Sequence, residues 1–349
     1  MTGYTRPLQQ LSRSDEPSFG GKSANLGELL AAEIPVPAGF AISTAAFHAF
    51  VHDAGLQDRI SSAVAGVSPG DLDTIGRASH AISEAMRFAP VPEALREEVA
   101  AQYARLGEDS PPVAVRSSAV GEDSQEATFA GQQETYLWVR GAEHVCDAVR
   151  DCWVSLYSPP AISYRARLGD AAQAPAMGVT VQCMVDAEIS GVMFTCNPVT
   201  GDPSMVTINA SWGLGLAVVG GEVTPDEYLV SKVTSEVVRE RVHVKDVQYV
   251  PDPDRGGAVR VDVPDERREA RSLDQPALER LVAEARRIER YFGCHQDVEW
   301  AFARDDPDGL FVVQTRPVTG MPKKLDTPKP QSAMSLIMST FGAGPPKDR

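Results

Sequence analysis

The residues with the clearest chemical potential lie near the end of the chain. In QDVEWAF (296–302) Asp297 and Glu299 alternate with Val298, Trp300 and Phe302; in LFVVQTRP (310–317) Val312, Gln314 and Arg316 alternate with Phe311, Val313 and Thr315. Side chains of a strand point to opposite faces in turn. If RDDPDG at 304–309 reverses the chain, an antiparallel pair brings Asp297, Glu299, Gln314 and Arg316 together opposite an apolar face. A carboxylate and an amide oxygen are hard ligands of the kind Mg²⁺ accepts, and an arginine beside them can fork onto a phosphate. The same pattern also suits a solvated hairpin carrying a surface ion pair.

Arg116 has a comparable setting. It follows the apolar run VAV and precedes Ser117, Ser118 and a long stretch of small, acidic and amide residues, AVGEDSQEATFAGQQETYL. An arginine at a strand's exit stands on a rigid base, and the two serines could present donors to phosphate oxygens; a salt bridge to Glu122 or Asp123 is the plainer alternative. Gly131 would allow a backbone to approach a ligand closely, or serve an ordinary turn. Lys22 follows Gly20 and Gly21 at the start of a helix, but Glu16 stands where a P-loop requires glycine and no apolar strand precedes it. A P-loop is therefore excluded, while Lys22 remains a candidate phosphate partner or an exposed lysine. NASWGLGLAVVGGEVTPD lacks the third glycine and the βαβ frame of a dinucleotide site. The six histidines show no metal-ligand spacing, and no G-x-S-x-G nucleophile elbow occurs.

The elements that must position these residues follow from pattern. Helices are expected at 56–67, 70–88, 92–106, 142–157, 159–167 and 276–292, with another opened by the glycines before Lys22, where Ser23 could cap. Strands are expected at 113–116, 134–139 and 179–185, in several short runs from 189 to 244, and in the final pair. Residues 251–273 read as an exposed, turn-rich excursion, and the tail from Gly320 as Pro/Gly/Lys-rich, with SAMSLIMSTF able to dock as a short helix. A chain of 349 residues, 43% hydrophobic and 23% charged, can build two cores. Its net charge of -15 argues against nucleic acid as a partner. Five scattered cysteines without a C-x-x-C pair point to a reducing, cytoplasmic setting, and neither a signal peptide nor a membrane span is expected.

Taken in order, FGGKSANLGEL, AVRSSAVGEDSQEATFAGQQETYL, GVMFTCNPVTGD, INASWGLG with VTPDEY, QDVEW and QTRPVT resemble the nucleotide-binding domain of the dikinases, the family of phosphoenolpyruvate synthase, pyruvate phosphate dikinase, rifampin phosphotransferase and phenylphosphate synthase. The resemblance spans about residues 10–319. It implies an α+β, ATP-grasp fold with ATP between two lobes: residues 1–182, residues 183–319, then the tail 320–349. It further implies Lys22 and Arg116 as phosphate-binding cations, and a loop 116–136 covering the phosphates, with Gly131, Thr135 and Tyr136 at the nucleotide. Gln182 would stand at the adenine hinge, Glu299 and Gln314 would hold Mg²⁺, and Arg316 would be the catalytic arginine.

Two departures stand out. The family's Gly-Leu-Gly-Glu is here Gly213-Leu214-Gly215-Leu216, and none of the six histidines has the family's phosphohistidine context. The expected activity is thus an ATP-binding part of a dikinase that forms AMP and phosphate and passes the β-phosphoryl group to a histidine on a separate domain or subunit. A pyruvate-like or phenolic molecule would be the final acceptor, and a split enzyme like phenylphosphate synthase the leading expectation. An ATP-grasp carboxylate ligase releasing ADP, a non-catalytic ATP sensor and a direct γ-phosphate kinase are the alternatives.

Overall fold

The computed structural model describes residues 3–107, 110–120, 134–168, 176–252, 256–306 and 309–318. The expected tail, the helix proposed within it, and most of the loop after Arg116, Gly131 included, lie outside the described residues.

Two antiparallel sheets organise the chain. The first contains β1 (Thr5–Pro7), β2 (Gly39–Ile42), β3 (Val113–Ala119), β4 (Thr135–Val139) and β5 (Met177–Cys183), in the order β1-β2-β5-β3-β4. Next in the chain come β6 (Ala187–Phe194), β7 (Met205–Trp212), β8 (Asp226–Ser231) and β9 (Val237–Arg241). A separate hairpin pairs β10 (Val247–Pro251) with β11 (Ala258–Asp262), and the chain returns through β12 (Gln296–Ala303) and β13 (Leu310–Pro317). The second sheet has the order β13-β12-β6-β7-β8-β9. The fold class is α+β, as expected.

Helices α1 (Glu16–Phe19) and α2 (Gly21–Ala31) precede β2; α3 (Thr44–Asp53), α4 (Gln57–Ala65), α5 (Leu72–Arg87) and α6 (Glu93–Tyr103) precede β3. Helices α7 (Ala142–Ser155) and α8 (Pro159–Leu168) follow β4, α9 (Leu216–Val219) follows β7, and α10 (Asp265–Arg268) and α11 (Gln275–Phe292) precede β12. Capping explains the sharpest boundaries. The Asp71 carboxylate accepts from the N–H groups of Asp73 and Thr74 at the start of α5, Asp274 accepts from Ala277 N–H at the start of α11, and Gly293 ends α11 at φ +69.

Each sheet buries one face. Val113, Val115, Val179 and Val181 of the first sheet pack with Phe47, Phe50 and Trp153 of the helices, the Phe50 and Trp153 rings stacking at 5.2 Å. On the second sheet Ile208, Tyr228, Val298, Trp300 and Val312 pack under Leu278, Leu281 and Ile288 of α11. Leu8, Leu11, Phe19, Leu26 and Leu29 join this second core, so the N-terminal segment fastens the two sheets together. Gly20 shows how tightly. It holds φ +79, and a Cβ there would lie 2.0 Å from Ser118 O. Ser118 Oγ accepts from Ser23 N–H at 3.2 Å, so Ser118 caps α2 from across the fold, while Ser23 Oγ pairs with Thr180 Oγ1 at 2.7 Å. The expectation that Ser23 caps this helix is corrected accordingly.

The region read as an exposed excursion is also more ordered than expected. Residues 251–273 contain β11 and α10 and bury Val263, Ser272 and Leu273. Asp226 is the reason. Its carboxylate, fully buried, accepts from Lys245 Nζ at 2.6 Å, His243 N–H at 3.0 Å, and Ser272 N–H and Oγ at 2.9 and 2.7 Å. Lys245 is buried as completely as its partner. A charge this deep is tolerated only when paired and hydrogen-bonded. Asp226→Ala should therefore lower stability by about 3–5 kcal/mol in urea unfolding, since it leaves Lys245 buried and unpaired; a loss below about 1 kcal/mol would show that Lys245 escapes to water.

Candidate functional site

The uncovered faces of the two sheets meet at a cavity of about 230 Å³. From the first sheet it is lined by Ala114 and Arg116 of β3, Thr135 and Leu137 of β4, and Gln182 and Cys183 of β5. From the second come Ser190 and Gly191 of β6, Glu299 to Ala301 of β12, and Val313 and Gln314 of β13. The segments Met184–Val185 and Leu214–Val219 supply apolar walls.

The final hairpin forms as its alternation implies. Asp297 pairs with Arg316 and Glu299 with Gln314. Beyond that point the register shifts by a bulge between Glu299 and Trp300, so that Trp300 pairs with Val312. Strict alternation would put Val312 on the face of Gln314 and Arg316. The extra residue instead sends Val312 into the core and leaves both Val313 and Gln314 at the cavity.

Arg116 reaches across from the other sheet. Its Nη1 donates to Val313 O at 3.4 Å and Gln314 Oε1 at 3.5 Å, and lies 3.9 Å from Glu299 Oε2. Lys22, on α2, donates from Nζ to Ser117 O at 3.1 Å, beside Arg116 on β3. Arg316 donates from Nε to Asp297 Oδ2 at 2.8 Å. Thus Arg116, Glu299 and Gln314, far apart in sequence, converge on one end of the cavity, while Lys22, beside Arg116, and Arg316, held to Asp297, are not among its lining residues. The alternative partners for Arg116, Glu122 and Asp123, lie outside the described residues.

The opposite end is apolar. Ala187, Leu214 and Ala301 form a small cluster with Trp138, against which Met184, Val185 and Tyr249 pack. Both sheets run between the same extremes, from Arg116 to Ala114 on β3 and from Glu299 to Ala301 on β12. Trp138 joins the cluster through a left-handed backbone, φ +60, beside a register shift in the β3–β4 pairing. Nothing in the local sequence signals that conformation. The β10–β11 hairpin braces the same wall: Leu214 N–H donates to Tyr249 O at 2.8 Å, and a Cβ on Gly213, at φ +75, would meet that oxygen at 2.4 Å.

Other expected site residues fall differently. Thr135 lines the cavity, but Tyr136, one residue on, points the other way and packs on the first core, where burial raises its phenol well above the usual range. Tyr136 is therefore set aside as a nucleotide contact. Ser117 and Ser118 are buried, the latter committed to α2, which removes them as ligand-facing hydroxyls. Gln182 lines the cavity at 2% exposure. Among the described residues its Nε2 and Arg116 Nε find no acceptor, two buried donors suited to an acceptor-rich ligand.

The paired oxygens of Glu299 and Gln314 fit Mg²⁺, which keeps water and substrate oxygens as its remaining ligands. Among the described residues no cluster of three or more His, Cys, Asp or Glu could hold a metal ion by itself. No helix of the described residues is long and apolar enough to cross a membrane.

Comparison with known proteins bears on this geometry. A family model described as the pyruvate phosphate dikinase AMP/ATP-binding domain matches residues 16–335. A probable phosphoenolpyruvate synthase of Staphylothermus marinus is 40% identical over 337 residues, covering 88% of this chain and 40% of that protein. One of Methanocaldococcus jannaschii is 38% identical over 345 residues, 97% of this chain and 29% of that protein. The phosphoenolpyruvate synthase of Pyrococcus furiosus is 36% identical over 385 residues, with 98% and 47% covered. The chain therefore spans less than half the length of these three relatives. A solved D-cycloserine synthetase, DcsG, aligns with a TM-score of 0.28 and 14% identity over 83% of this chain and 59% of its own, too slight a likeness to argue from.

Asp297 provides a test of the hairpin's electrostatics. Burial, the largest influence, pushes its carboxyl above the ordinary 3.8, Glu299 adds to this, and Arg316 opposes it. With a raised value in the folded state, the folded chain holds this proton more tightly than the unfolded chain. Ionisation therefore costs stability as the pH rises from the ordinary carboxylate value through the raised one. Asp297→Asn removes that cost, so its stability relative to wild type should increase as the pH rises above the ordinary carboxylate range in urea titrations. A difference independent of pH would contradict the burial.

Proposed function

Because this chain belongs to the pyruvate phosphate dikinase AMP/ATP-binding domain family, we propose that it is the ATP-binding part of a dikinase-type phosphotransferase that takes ATP with Mg²⁺ and yields AMP. One observation carries the reading: Arg116 of the first sheet meets the paired Glu299 and Gln314 of the second at the charged end of a cavity whose other end is apolar. The base would lie against Met184, Val185 and Leu214 within reach of Gln182, and the triphosphate among Lys22, Arg116 and Arg316. The division into lobes at 1–182 and 183–319 is part of the same proposal.

In this reaction a histidine nitrogen attacks the β-phosphorus and AMP leaves with the bond electrons. Water then removes the γ-phosphoryl as inorganic phosphate, and the β-phosphoryl group stays on the histidine for the acceptor. Phosphoryl transfer asks little covalent chemistry of the protein and much positioning and charge neutralisation. Arg116 and Lys22 hold the phosphates in place, and Arg316, kept on the hairpin face by Asp297, meets the charge that builds as the phosphoryl group moves. Mg²⁺, when bound at Glu299 and Gln314, supplies further neutralisation of phosphate oxygens. The histidine belongs to a separate domain or subunit, a reading supported by the greater length of the relatives. Their names favour a pyruvate-like acceptor over a phenolic one. The five free cysteines suit a cytoplasmic protein.

Purified chain, added back to an extract depleted of it, should restore AMP formation from ATP. Glu299→Ala and Arg316→Ala should each reduce that rate at least about 100-fold while the chain stays folded, because the charge stabilisation they supply is local. ADP as the product, or both variants within a few-fold of wild type, would contradict the assignment.

A further inference from the structure

The cavity is polar where phosphates would sit and carries an unsatisfied amide where a base would sit, but its middle is unlike either end. A nucleotide spanning from Gln182 to Arg116 must lay its sugar along the Ser190–Gly191 level of β6, since Ala301 and Trp300 pair there with Ser190 and Gly191 and Glu299 pairs one step further on. Leading on from Leu214 at the apolar end, Gly215 and Leu216 with Val219 line the cavity beside this level. A Cβ on Gly215 would stand 3.7 Å from Ser190 Oγ, which fixes the segment beside β6. The hydroxyl of Ser190 is itself 3% exposed in residue terms and donates to Gly213 O at 2.5 Å. Leucine and valine side chains can neither give nor take a hydrogen bond. Among the described lining residues, Glu299 is the sole carboxylate, and it faces Gln314 and Arg116.

We propose that this site grips the base and the phosphates of its nucleotide but not the sugar, with Leu216 as the residue that sets this indifference, so that 2′-deoxyadenosine triphosphate is accepted nearly as well as ATP. The inference rests on the reading of the cavity as an ATP site and deepens it by naming the class of nucleotide. Its physical basis is an asymmetry in recognition. A site built to hydrogen-bond a hydroxyl rejects the analogue lacking it, because its own polar groups are then stranded, whereas an apolar wall strands nothing.

The test is calorimetric titration of the full chain with Mg²⁺ and either ATP or 2′-deoxyadenosine triphosphate, for wild type and for Leu216→Gln. Leu216 is only partly buried, so the longer polar side chain can be housed without disturbing the core. Wild type should bind the two nucleotides within about threefold of each other, and Leu216→Gln should favour ATP by about tenfold, having gained a partner for the hydroxyl. A wild-type preference for ATP beyond about tenfold would overturn the proposal while leaving the ATP site intact. An unchanged ratio in Leu216→Gln would overturn the placement of the sugar at Leu216. If neither nucleotide binds wild type, the ATP reading itself falls, and this inference with it.

Discussion

A cation from one sheet must meet an anion from the other for this molecule to have a site at all. Arg116 does so, 3.9 Å from Glu299 and within hydrogen-bonding range of Gln314, and everything else about the cavity depends on the two sheets being held at that separation. The clamp is not at the site itself. It is the N-terminal segment, where Gly20 lies against Ser118 so closely that no side chain could be added, and where Leu26 and Leu29 enter the core beneath the second sheet. The same helix that locks the sheets also carries Lys22 to the carbonyl of Ser117, the residue after Arg116. Packing and chemistry therefore share one element.

On the proposed reading, a long-range contact of this kind is what lets a chain of net charge -15 hold phosphates. Its overall field repels anions, so the attraction must be local and concentrated. On that reading Arg116 supplies it at the cavity, with Lys22 beside it on α2 and Arg316 on the neighbouring hairpin face; Glu299 lies by Arg116, and Asp297 holds Arg316. Deep in the second sheet the Asp226–Lys245 pair performs a different task, tying the return from β9 and the approach to α11 onto β8 and so steadying the hairpin that backs Leu214.

What could be read from the sequence was whatever obeys a short period. The 297–316 face follows from alternation, and α5 and α11 from apolar spacing, whereas their aspartate caps emerged only in the structure. The bulge after Glu299 could not be read, because one extra residue in a pairing leaves no mark on either strand alone, and it moved Val312 from the site to the core. Tyr136 was misplaced for a related reason: a neighbour of Thr135 on a strand faces the other way. Lys245 looks like any surface lysine until Asp226, Ser272 and His243 are seen around it, and Ser118 gives no sign of capping a helix nearly a hundred residues earlier. The resemblance to the dikinases supplied roles for Lys22, Gln182 and Arg316 that spacing alone left open.

The central claim is that this cavity presents the β-phosphorus of ATP to a histidine. The most direct measurement uses two preparations of ATP, labelled at the β- or at the γ-phosphate, with the chain, Mg²⁺ and the depleted extract, and follows where each label goes. The account predicts acid-labile, base-stable label on a histidine from the β-position only, with the γ-label recovered as inorganic phosphate. Transfer of the γ-label to an acceptor, with the β-label left in ADP, would contradict it.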